Sequence, residues 1–391
     1  MKLFQNSDLF KLDFLIILSI LILLSIVVTI CSDAVGLGLV STSFIKTLGK
    51  TLCLCIVAIA MDLIWGYCGI LSLGHFAFFA LGGYMAGMWL MYERTKIIVE
   101  NSLSNSIIPP TNQEISDAIG TQIFGVVGSN EFPIIWAFAD YLAIQLALVL
   151  LVPGFIAFVF GWLAFRSRVT GVYLSILTQA LTLALSLYLF QNENGLRGNN
   201  GLSGLQNLPY VNASQDYVSL WFFWASLLML GISYLFAKSV TSGKFGYVLK
   251  AIKENELRIR FLGYRVENYK LAMFTLTACL ASVAGAFYYP QAGIINPAQM
   301  APIASIYLAV WVAIGGRGRI YGAVIGAAFV SLVSSWFTGG QVPDLTLNIF
   351  IIHWVDWWQV ILGTTFVIVT ILAPKGIAGL FDKFKIKEKL W

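Results

Sequence analysis

The sequence contains little charge. Only 11% of its 391 residues are Asp, Glu, Lys or Arg, and 59% are hydrophobic. Soluble globular domains carry about 25% charged residues, whereas a bilayer core about 30 Å thick is crossed by about 20 apolar residues in a helix. The composition leaves little room for a soluble domain and predicts an all-α, polytopic membrane protein, with a single transmembrane domain over residues 1–391.

Residues and motifs that enzymes commonly need are also scarce. The two histidines are His75 and His353, and no H-E-x-x-H or G-x-S-x-G motif is present. Five cysteines lie in or beside apolar runs without metal-ligand spacing, so we expect no metal site and no cofactor. The Gly-rich run 315–326 lacks the Lys-Ser/Thr pair of a phosphate-binding loop. These absences argue against catalysis by this chain.

Glycine spacing within that run favours helix packing instead. Gly318, Gly322 and Gly326 recur at every fourth residue, a pattern that lets the backbones of transmembrane helices approach closely. We therefore predict a helix-packing face at these three positions. Arg317 and Arg319 would mark its cytosolic edge.

Apolar runs predict ten membrane spans. They lie near residues 14–31, 46–65, 69–91, 134–165, 171–190, 218–237, 270–290, 302–315, 320–338 and 356–373. Lys and Arg concentrate in the N-terminal tail, residues 166–168, 238–270 and 317–319, and the tail 375–391. The positive-inside rule therefore places these segments and both termini in the cytosol, and we expect the first span to be retained rather than cleaved. The loop 92–133 and the Gly- and Asn-rich segment 191–206 then face outward, into the periplasm.

One long stretch, residues 238–270, is rich in charge and is called the coupling segment below. It holds eight basic and three acidic residues, an excess equal to the +5 net charge of the whole chain. Apolar residues at helical spacing and the i,i+4 pairs Glu254–Arg258 and Glu256–Arg260 predict an amphipathic helix, with Gly243 and Gly263 as breakers. Such a helix could lie on anionic lipid or dock a soluble cytosolic protein. We do not expect nucleic-acid binding.

A second informative stretch is GYCGILSLGHFAFFALGGY, residues 66–84. Its glycines, together with Ser72 and His75, predict a weakened helix, and weakened helices at membrane depth usually line a cavity or path. The alternative for His75 is a hydrogen-bonded packing residue. Asp62 is an intramembrane carboxylate, either at a site or in a structural pair, and Gln179 belongs to a polar stripe with Thr178 and Thr182.

Several motifs together resemble the permeases of branched-chain amino-acid ABC importers. They are GILSLGHFAFFALGGY, AIKENELRIRFLGYRVENYKLAMFTLTACLASVAGAFY and LAPKGIAGL. A second set is similar to the urea-importer permeases of that family: DLIWGYCGILSLGH, the INP of 295–297, WVAIGGRGRIYGAVIGA, SSWFT and WWQVILG. The resemblance runs from about Asp62 to Leu380.

The resemblance implies a set of partners and a coupling surface. The partners are a second, homologous permease, two ATPase subunits that hydrolyse the ATP, a periplasmic solute-binding protein and the lipid of a bacterial inner membrane. Residues 244–263 match the family's coupling helix, with Glu256-Leu257-Arg258 where many importers have Glu-Ala-Ala. The residues implied in coupling to the ATPases are Lys244, Phe245, Gly246, Glu254, Asn255, Glu256, Arg258 and Gly263.

The resemblance also implies the solute. We expect urea or a close amide to pass along a path at Ser72 and His75, with Asp62 and Gln179 as further candidates. Urea is neutral, so hydrogen-bonding groups suffice to handle it. A branched-chain amino acid is the alternative within the same class. An ion-coupled transporter or a passive channel is the alternative from another class, but neither explains a long cytosolic coupling segment.

Overall fold

The computed structural model describes residues 19–32, 40–103, 111–125, 133–169, 171–211, 214–339, 345–347, 350–352, 354–372 and 376–379. The predicted N-terminal tail, His353 and the basic residues of the C-terminal tail lie outside these residues. The helices are α1 Ser19–Cys31, α2 Thr42–Asp62, α3 His75–Leu103, α4 Asn112–Phe124, α5 Leu142–Arg166, α6 Val172–Phe190, α7 Gln215–Ser242, α8 Lys244–Glu254, α9 Glu256–Phe261, α10 Val266–Ala292, α11 Pro302–Gly315, α12 Ile320–Thr338 and α13 Trp354–Leu372.

Strands in the described residues are short and form two antiparallel pairs. In the first pair, β1 (Leu202–Ser203) lies beside β2 (Ile294–Ile295); in the second, β3 (Leu345–Leu347) lies beside β4 (Phe350–Ile352). The predicted all-α class is confirmed.

Each of the ten predicted spans coincides with a helix. Among the described residues, six helices are long and apolar enough to cross a membrane: α2, α5, α6, α7, α10 and α12. The helices α1 and α11 and the part Asp356–Val369 of α13 are shorter apolar helices. The third predicted span began too early, because Gly69 has a φ of +80° and the helix starts only at His75. The fourth also began too early, because a 3₁₀ turn at Ile134–Trp136 precedes α5. The number of spans stays a prediction.

The predicted outer loop 92–133 contains helical structure. The helix α3 continues to Leu103, and α4 follows within the loop. A capping box starts α4: the Thr111 hydroxyl accepts from the Glu114 N–H at 3.4 Å, and the Glu114 carboxylate accepts from the Thr111 N–H at 2.8 Å. This part of the loop therefore has a defined local structure.

The chain forms two compact units. The first comprises Met1–Leu71, Leu220–Met273 and Ile306–Trp391, and the second comprises Ser72–Ser219 and Phe274–Ser305. The boundary at Leu71 and Ser72 falls inside the segment that the sequence marks as a weakened helix.

Packing of α2 against α12 and of α11 against α12 organises the first unit. The hydroxyls of Thr51 and Ser331 form a buried hydrogen bond of 3.0 Å between α2 and α12. A Cβ atom at Gly326 would lie 2.2 Å from the Trp311 carbonyl oxygen and 2.7 Å from the Gly315 Cα, so α11 and α12 touch through their backbones.

Gly318 is a correction to the predicted packing face. Gly322 and Gly326 lie on α12 and pack against the end of α11, but Gly318 lies in the turn before α12, with a φ of +81°. A helix cannot continue through that backbone conformation. Gly318 instead binds Asp62, as described below.

In the second unit, α3 contacts α10 through small residues. A Cβ atom at Gly82 would lie 2.0 Å from the Ser282 carbonyl oxygen, and one at Gly285 would lie 1.8 Å from the Phe79 carbonyl oxygen. Each of these two glycines therefore leaves room for the facing backbone. This close packing holds the first turns of α3, which begins at His75, against α10.

Candidate functional site

The membrane helix α2 does not end in a normal cap. It widens into one π-helical turn at Leu63–Tyr67, and non-helical backbone follows until α3 begins at His75. We call residues 63–75 the broken-helix segment. Single π turns and interrupted helices in membrane proteins are common where a helix serves a function. The segment crosses the boundary between the two units, so its two halves are described separately.

In the first unit, Asp62 holds the turn before α12. The Asp62 Oδ1 atom accepts a hydrogen bond of 2.6 Å from the Gly318 N–H. The carboxylate is fully buried, and its Oδ2 atom has no partner among the described residues. A side chain at Gly66 would collide with this bond, because a Cβ atom there would lie 2.3 Å from Asp62 Oδ1. The contacts thus show the structural pair that was one of the two sequence interpretations of Asp62.

Lys253 of α8 binds the same turn. Its ammonium group donates a hydrogen bond of 2.7 Å to the Gly66 carbonyl oxygen in the π turn. Its side chain also packs over Gly69, where a Cβ atom would lie 3.2 Å from the Lys253 Cγ. Burial lowers the pKa of Lys253, and repulsion from the positive charge of Arg317 lowers it further. Lys253 therefore attaches α8 to the end of α2.

Two cation–π contacts support this attachment. The guanidinium of Arg317 lies 5.1 Å from the centre of the Trp65 ring, and the ammonium of Lys250 lies 5.3 Å from that of Tyr67. Such contacts contribute about 0.5–1 kcal/mol each at exposed sites. They join the π turn to α8 and to the turn before α12.

In the second unit, hydroxyl groups hold the end of the broken-helix segment. The Leu73 N–H donates to the Thr178 hydroxyl at 3.0 Å, and the Leu73 carbonyl accepts from the Thr182 hydroxyl at 3.3 Å. The Phe76 N–H donates to the Ser305 hydroxyl at 3.2 Å. Side chains from α6 and α11 therefore satisfy backbone groups that an interrupted helix leaves unpaired.

Ser72 and His75 are fully buried and in contact. The Nδ1 atom of His75 lies 3.1 Å from the Ser72 hydroxyl oxygen. The imidazole meets the rings of Phe78 and Phe274 edge-on, at centroid distances of 6.2 and 6.3 Å. Its Nε2 atom is buried and has no partner in the part of the chain that the structure describes. His75 therefore has one nitrogen, Nε2, that is free to form a hydrogen bond, and its ring lies beside the rings of Phe78 and Phe274.

The four predicted path residues divide between the two units. Ser72 and His75 form one group in the second unit, whereas Asp62 belongs to the first unit. Gln179 is half-buried on α6, next to Thr178. The residues that hold the break are Thr178, Thr182 and Ser305. The first two have the i,i+4 spacing of one helix face, which was visible in the sequence, but Ser305 gave no signal.

The coupling segment folds as two helices rather than one. Asn255, with φ −157° and ψ 96°, ends α8, and its side chain caps α9 by accepting from the Arg258 N–H at 3.0 Å. The predicted i,i+4 pair of Glu254 and Arg258 is therefore wrong, because the two residues lie on different helices. Gly243 precedes α8, and Gly263 follows α9 with a φ of +87°.

Glu256 is the centre of an ion-pair network. Its carboxylate accepts from Arg260 at 2.7 Å and from Lys270 at 2.5 Å, and Arg260 also pairs with Glu267. Burial alone raises the pKa of Glu256, but the hydrogen bonds from Lys270 and Arg260 outweigh it and lower the pKa. The stabilisation is therefore present at neutral pH and is lost as the pH falls through that lowered pKa.

The implied coupling residues divide by exposure. Lys244, Glu254, Asn255, Arg258 and Gly263 are exposed, Phe245 and Glu256 are half-buried, and Gly246 is buried. Gly246 packs on Thr241, and Phe245 stacks on Tyr269 at 5.5 Å. Gly246 and Phe245 therefore pack against other parts of the chain.

The most exposed apolar side chains of the segment were missed by the sequence interpretation. Leu257, Phe261 and Leu262 are 67%, 90% and 71% exposed, on α9 and directly after it. Leu257 and Phe261 are four residues apart, the spacing of one helix face, which was an available signal. Large apolar side chains grouped at a polar surface usually mark a contact with another protein.

Comparison with known proteins gives one family. The sequence model of the family described as "Branched-chain amino acid transport system / permease component" matches residues 43–370. No solved structure matches.

The curated relatives are permease proteins. A probable branched-chain amino acid transport permease protein of Methanocaldococcus jannaschii is 25% identical over 69% of this chain and 74% of its own length. A high-affinity branched-chain amino acid transport system permease protein of Salmonella typhimurium is 24% identical over 76% of this chain and 64% of its own length. An autoinducer 2 import system permease protein of Escherichia coli is 31% identical over 31% of this chain and 36% of its own length.

Proposed function

Because the chain belongs to the family of branched-chain amino acid transport permease components, we propose that it carries urea, or a close amide, inward as one permease subunit of an ATP-driven importer. As a member of that family it is a membrane permease subunit and not an enzyme. It is a multi-pass protein of the inner membrane, with several helices long and apolar enough to span it. ATP is hydrolysed by the partner ATPase subunits.

The attachment of the coupling segment to the broken-helix segment carries the proposal. The exposed side chains of Leu257, Phe261 and Leu262 form the surface that docks an ATPase subunit. On α8, Lys253 binds the Gly66 carbonyl at the end of a membrane helix. Movement of the ATPase would therefore displace α8 and pull on the π turn through Lys253 and Lys250. An ion-coupled transporter or a channel has no use for such a linkage.

Neutral groups around the second half of the broken-helix segment favour a neutral solute. Ser72, His75, Thr178 and Thr182 offer hydroxyl groups and an imidazole, and none of these side chains is a carboxylate, an ammonium or a guanidinium. Hydrogen-bonding groups of this kind suit urea. The motifs similar to urea-importer permeases support the same solute. The remaining partners are a second, homologous permease and a periplasmic solute-binding protein.

A branched-chain amino acid is the second candidate solute, since two of the relatives are named for its transport. Uptake separates the two. Deleting the gene in its own host should abolish high-affinity uptake of labelled urea at micromolar concentration and leave leucine uptake unchanged. Unchanged urea uptake together with loss of leucine uptake would show that the solute is a branched-chain amino acid. Re-expression of the intact chain in the deletion strain is the control.

The ion-pair network predicts different results for two neighbouring glutamates. Glu256→Lys removes the partner of Lys270, which is 7% exposed, and places two cations together. We expect a loss of about 1.5–3 kcal/mol of stability, the usual range for hydrogen bonds to charged groups. Glu254→Lys alters an exposed side chain and should change stability by less than about 0.5 kcal/mol.

Thermal unfolding of the purified, detergent-solubilised subunit measures this difference. Glu254→Lys serves as the matched control, because it makes the same charge change two residues away. Glu256→Gln keeps the side-chain size and should give an intermediate loss. Equal unfolding temperatures for the two Lys variants would show that the network does not stabilise the coupling segment.

A further inference from the structure

Two segments of the second unit, 191–206 and 293–301, contact each other through backbone groups. By the predicted topology both lie on the outer side. Their strands β1 and β2 pair, with Leu202 opposite Ile295, and the Leu205 N–H donates to the Gly293 carbonyl at 3.1 Å. The first segment contains 3₁₀ turns at Asn192–Asn194 and Gly198–Asn200, and the second contains one at Pro297–Met300. The turns at Gly198–Asn200 and Pro297–Met300 touch.

The contact between the two 3₁₀ turns is made possible by Gly201. It has a φ of +59°, and a Cβ atom there would lie 2.0 Å from the Ile295 carbonyl oxygen and 2.9 Å from the Asn296 Cα. Any side chain at this position would separate the two segments. The first turn begins at Arg197, whose carbonyl accepts from the Asn200 N–H at 3.1 Å, and the second begins at Asn296. Arg197 and Asn296 therefore lie on either side of one backbone contact.

Three polar atoms on these turns are buried without a partner in the described part of the chain. They are Arg197 Nε, Asn296 Oδ1 and Gln299 Oε1. Buried polar groups in folded proteins are normally paired, so three on two touching turns require an explanation. They comprise one donor and two acceptors, because Nε carries a hydrogen and amide oxygens carry lone pairs.

Arg197 has a strained backbone and a guanidinium group with few hydrogen-bond partners among the described residues. Its φ of +61° lies in the left-handed region, which costs free energy for a residue other than Gly. One terminal nitrogen of its guanidinium, Nη1, lies 3.9 Å from the sulfur of Met91, a weak acceptor, and burial lowers the pKa of the side chain. Strained backbone and an unsatisfied charged group are typical of a residue kept for binding.

We propose that Arg197, Asn296 and Gln299 form a solute site on the outer side, where the solute enters the permease. The ligand class is a small molecule with an oxygen acceptor and N–H donors: its oxygen accepts from Arg197, and its N–H groups donate to Asn296 and Gln299. Urea has this arrangement, and so does an amino acid through its carboxylate and ammonium groups. This proposal rests on the proposed function, because a solute entry site has a role only if the chain imports a solute.

The test uses the complete importer, with its binding protein, in proteoliposomes. The quantity measured is labelled solute moved per ATP hydrolysed, with urea and leucine in parallel. Asn296→Leu and Gln299→Leu each remove one acceptor and should lower this ratio about fivefold, the effect of one lost hydrogen bond. Gln299→Glu keeps a side-chain oxygen and should stay within about twofold of the unsubstituted importer.

Arg197→Gln distinguishes the two ligands, because it keeps N–H donors and removes the charge. A lower ratio for urea in the Leu variants, with Arg197→Gln largely active, identifies an amide site. Loss of leucine transport in Arg197→Gln as well as in the Leu variants identifies an amino-acid site. Ratios within twofold for every variant and both solutes would overturn the site alone, whereas an unsubstituted importer that moves neither solute would overturn the proposed function as well.

Discussion

Phe261→Asp should abolish ATP hydrolysis that responds to loaded binding protein while leaving the membrane part of the chain folded. Phe261 is 90% exposed at the end of α9, so the chain itself loses almost no packing when the ring is removed. A docked ATPase would bury the Phe261 ring, and the substitution removes that contact. Aromatic residues at the centre of an interface contribute about 2 kcal/mol or more, which corresponds to roughly 30-fold in affinity.

The measurement is the affinity of purified ATPase subunits for the permease complex, followed by hydrolysis at saturating binding protein. Phe261→Leu is the matched control, because it retains an apolar side chain and should keep most of the affinity. Arg265→Ser changes an exposed residue just beyond α9 and should have an effect below about fivefold. An Asp variant with normal ATPase affinity would show that the docking surface lies elsewhere on the chain.

Gly326→Ala should cause a large loss of stability. Its Cβ atom would lie 2.2 Å from the Trp311 carbonyl oxygen and 2.7 Å from the Gly315 nitrogen, both backbone atoms that cannot rotate away. The helices α11 and α12 must then separate, at a cost of about 1–3 kcal/mol. We expect the unfolding temperature of the solubilised chain to fall by roughly 1–4 °C, together with a lower yield from membranes.

Gly363→Ala is the control for Gly326. Gly363 lies within α13, and a Cβ atom there would have no described neighbour within 4 Å. The same substitution should therefore be neutral or stabilising, since Ala favours a helix over Gly by up to about 1 kcal/mol. A Gly326 variant as stable as the Gly363 variant would contradict the close approach of α11 and α12.

The positions of the membrane helices were readable from the sequence because length and hydrophobicity set them. Each predicted span has a helix. The errors lie where a local conformation ended a helix within an apolar run, as at Gly69 and in the 3₁₀ turn before α5. The glycines of residues 66–84 indicated a weakened helix, but hydrophobicity alone did not locate the residue at which α3 begins. The turn Ile134–Trp136 is as apolar as the helix that follows it, so composition gave no sign of it.

In the coupling segment, the pattern of charged residues likewise failed to predict where one helix ends and the next begins. Its basic excess and its breaker glycines were visible, and they predicted a cytosolic surface. Spacing alone also paired Glu254 with Arg258, whereas Asn255 caps a new helix between them. When the residues on both sides continue an amphipathic pattern, the sequence does not show whether a residue such as Asn255 caps a helix or lies inside one.

The sequence by itself determined the class, the alternation of spans and loops, and the two stretches that matter, because bilayer thickness and the cost of burying charge act on composition directly. Only the tertiary structure decided which groups meet. It placed Lys253 on the Gly66 carbonyl, Asp62 on the Gly318 N–H and Thr178 on the Leu73 N–H. Each of these bonds joins residues more than 100 positions apart and uses a backbone group, which every residue carries and no sequence pattern marks.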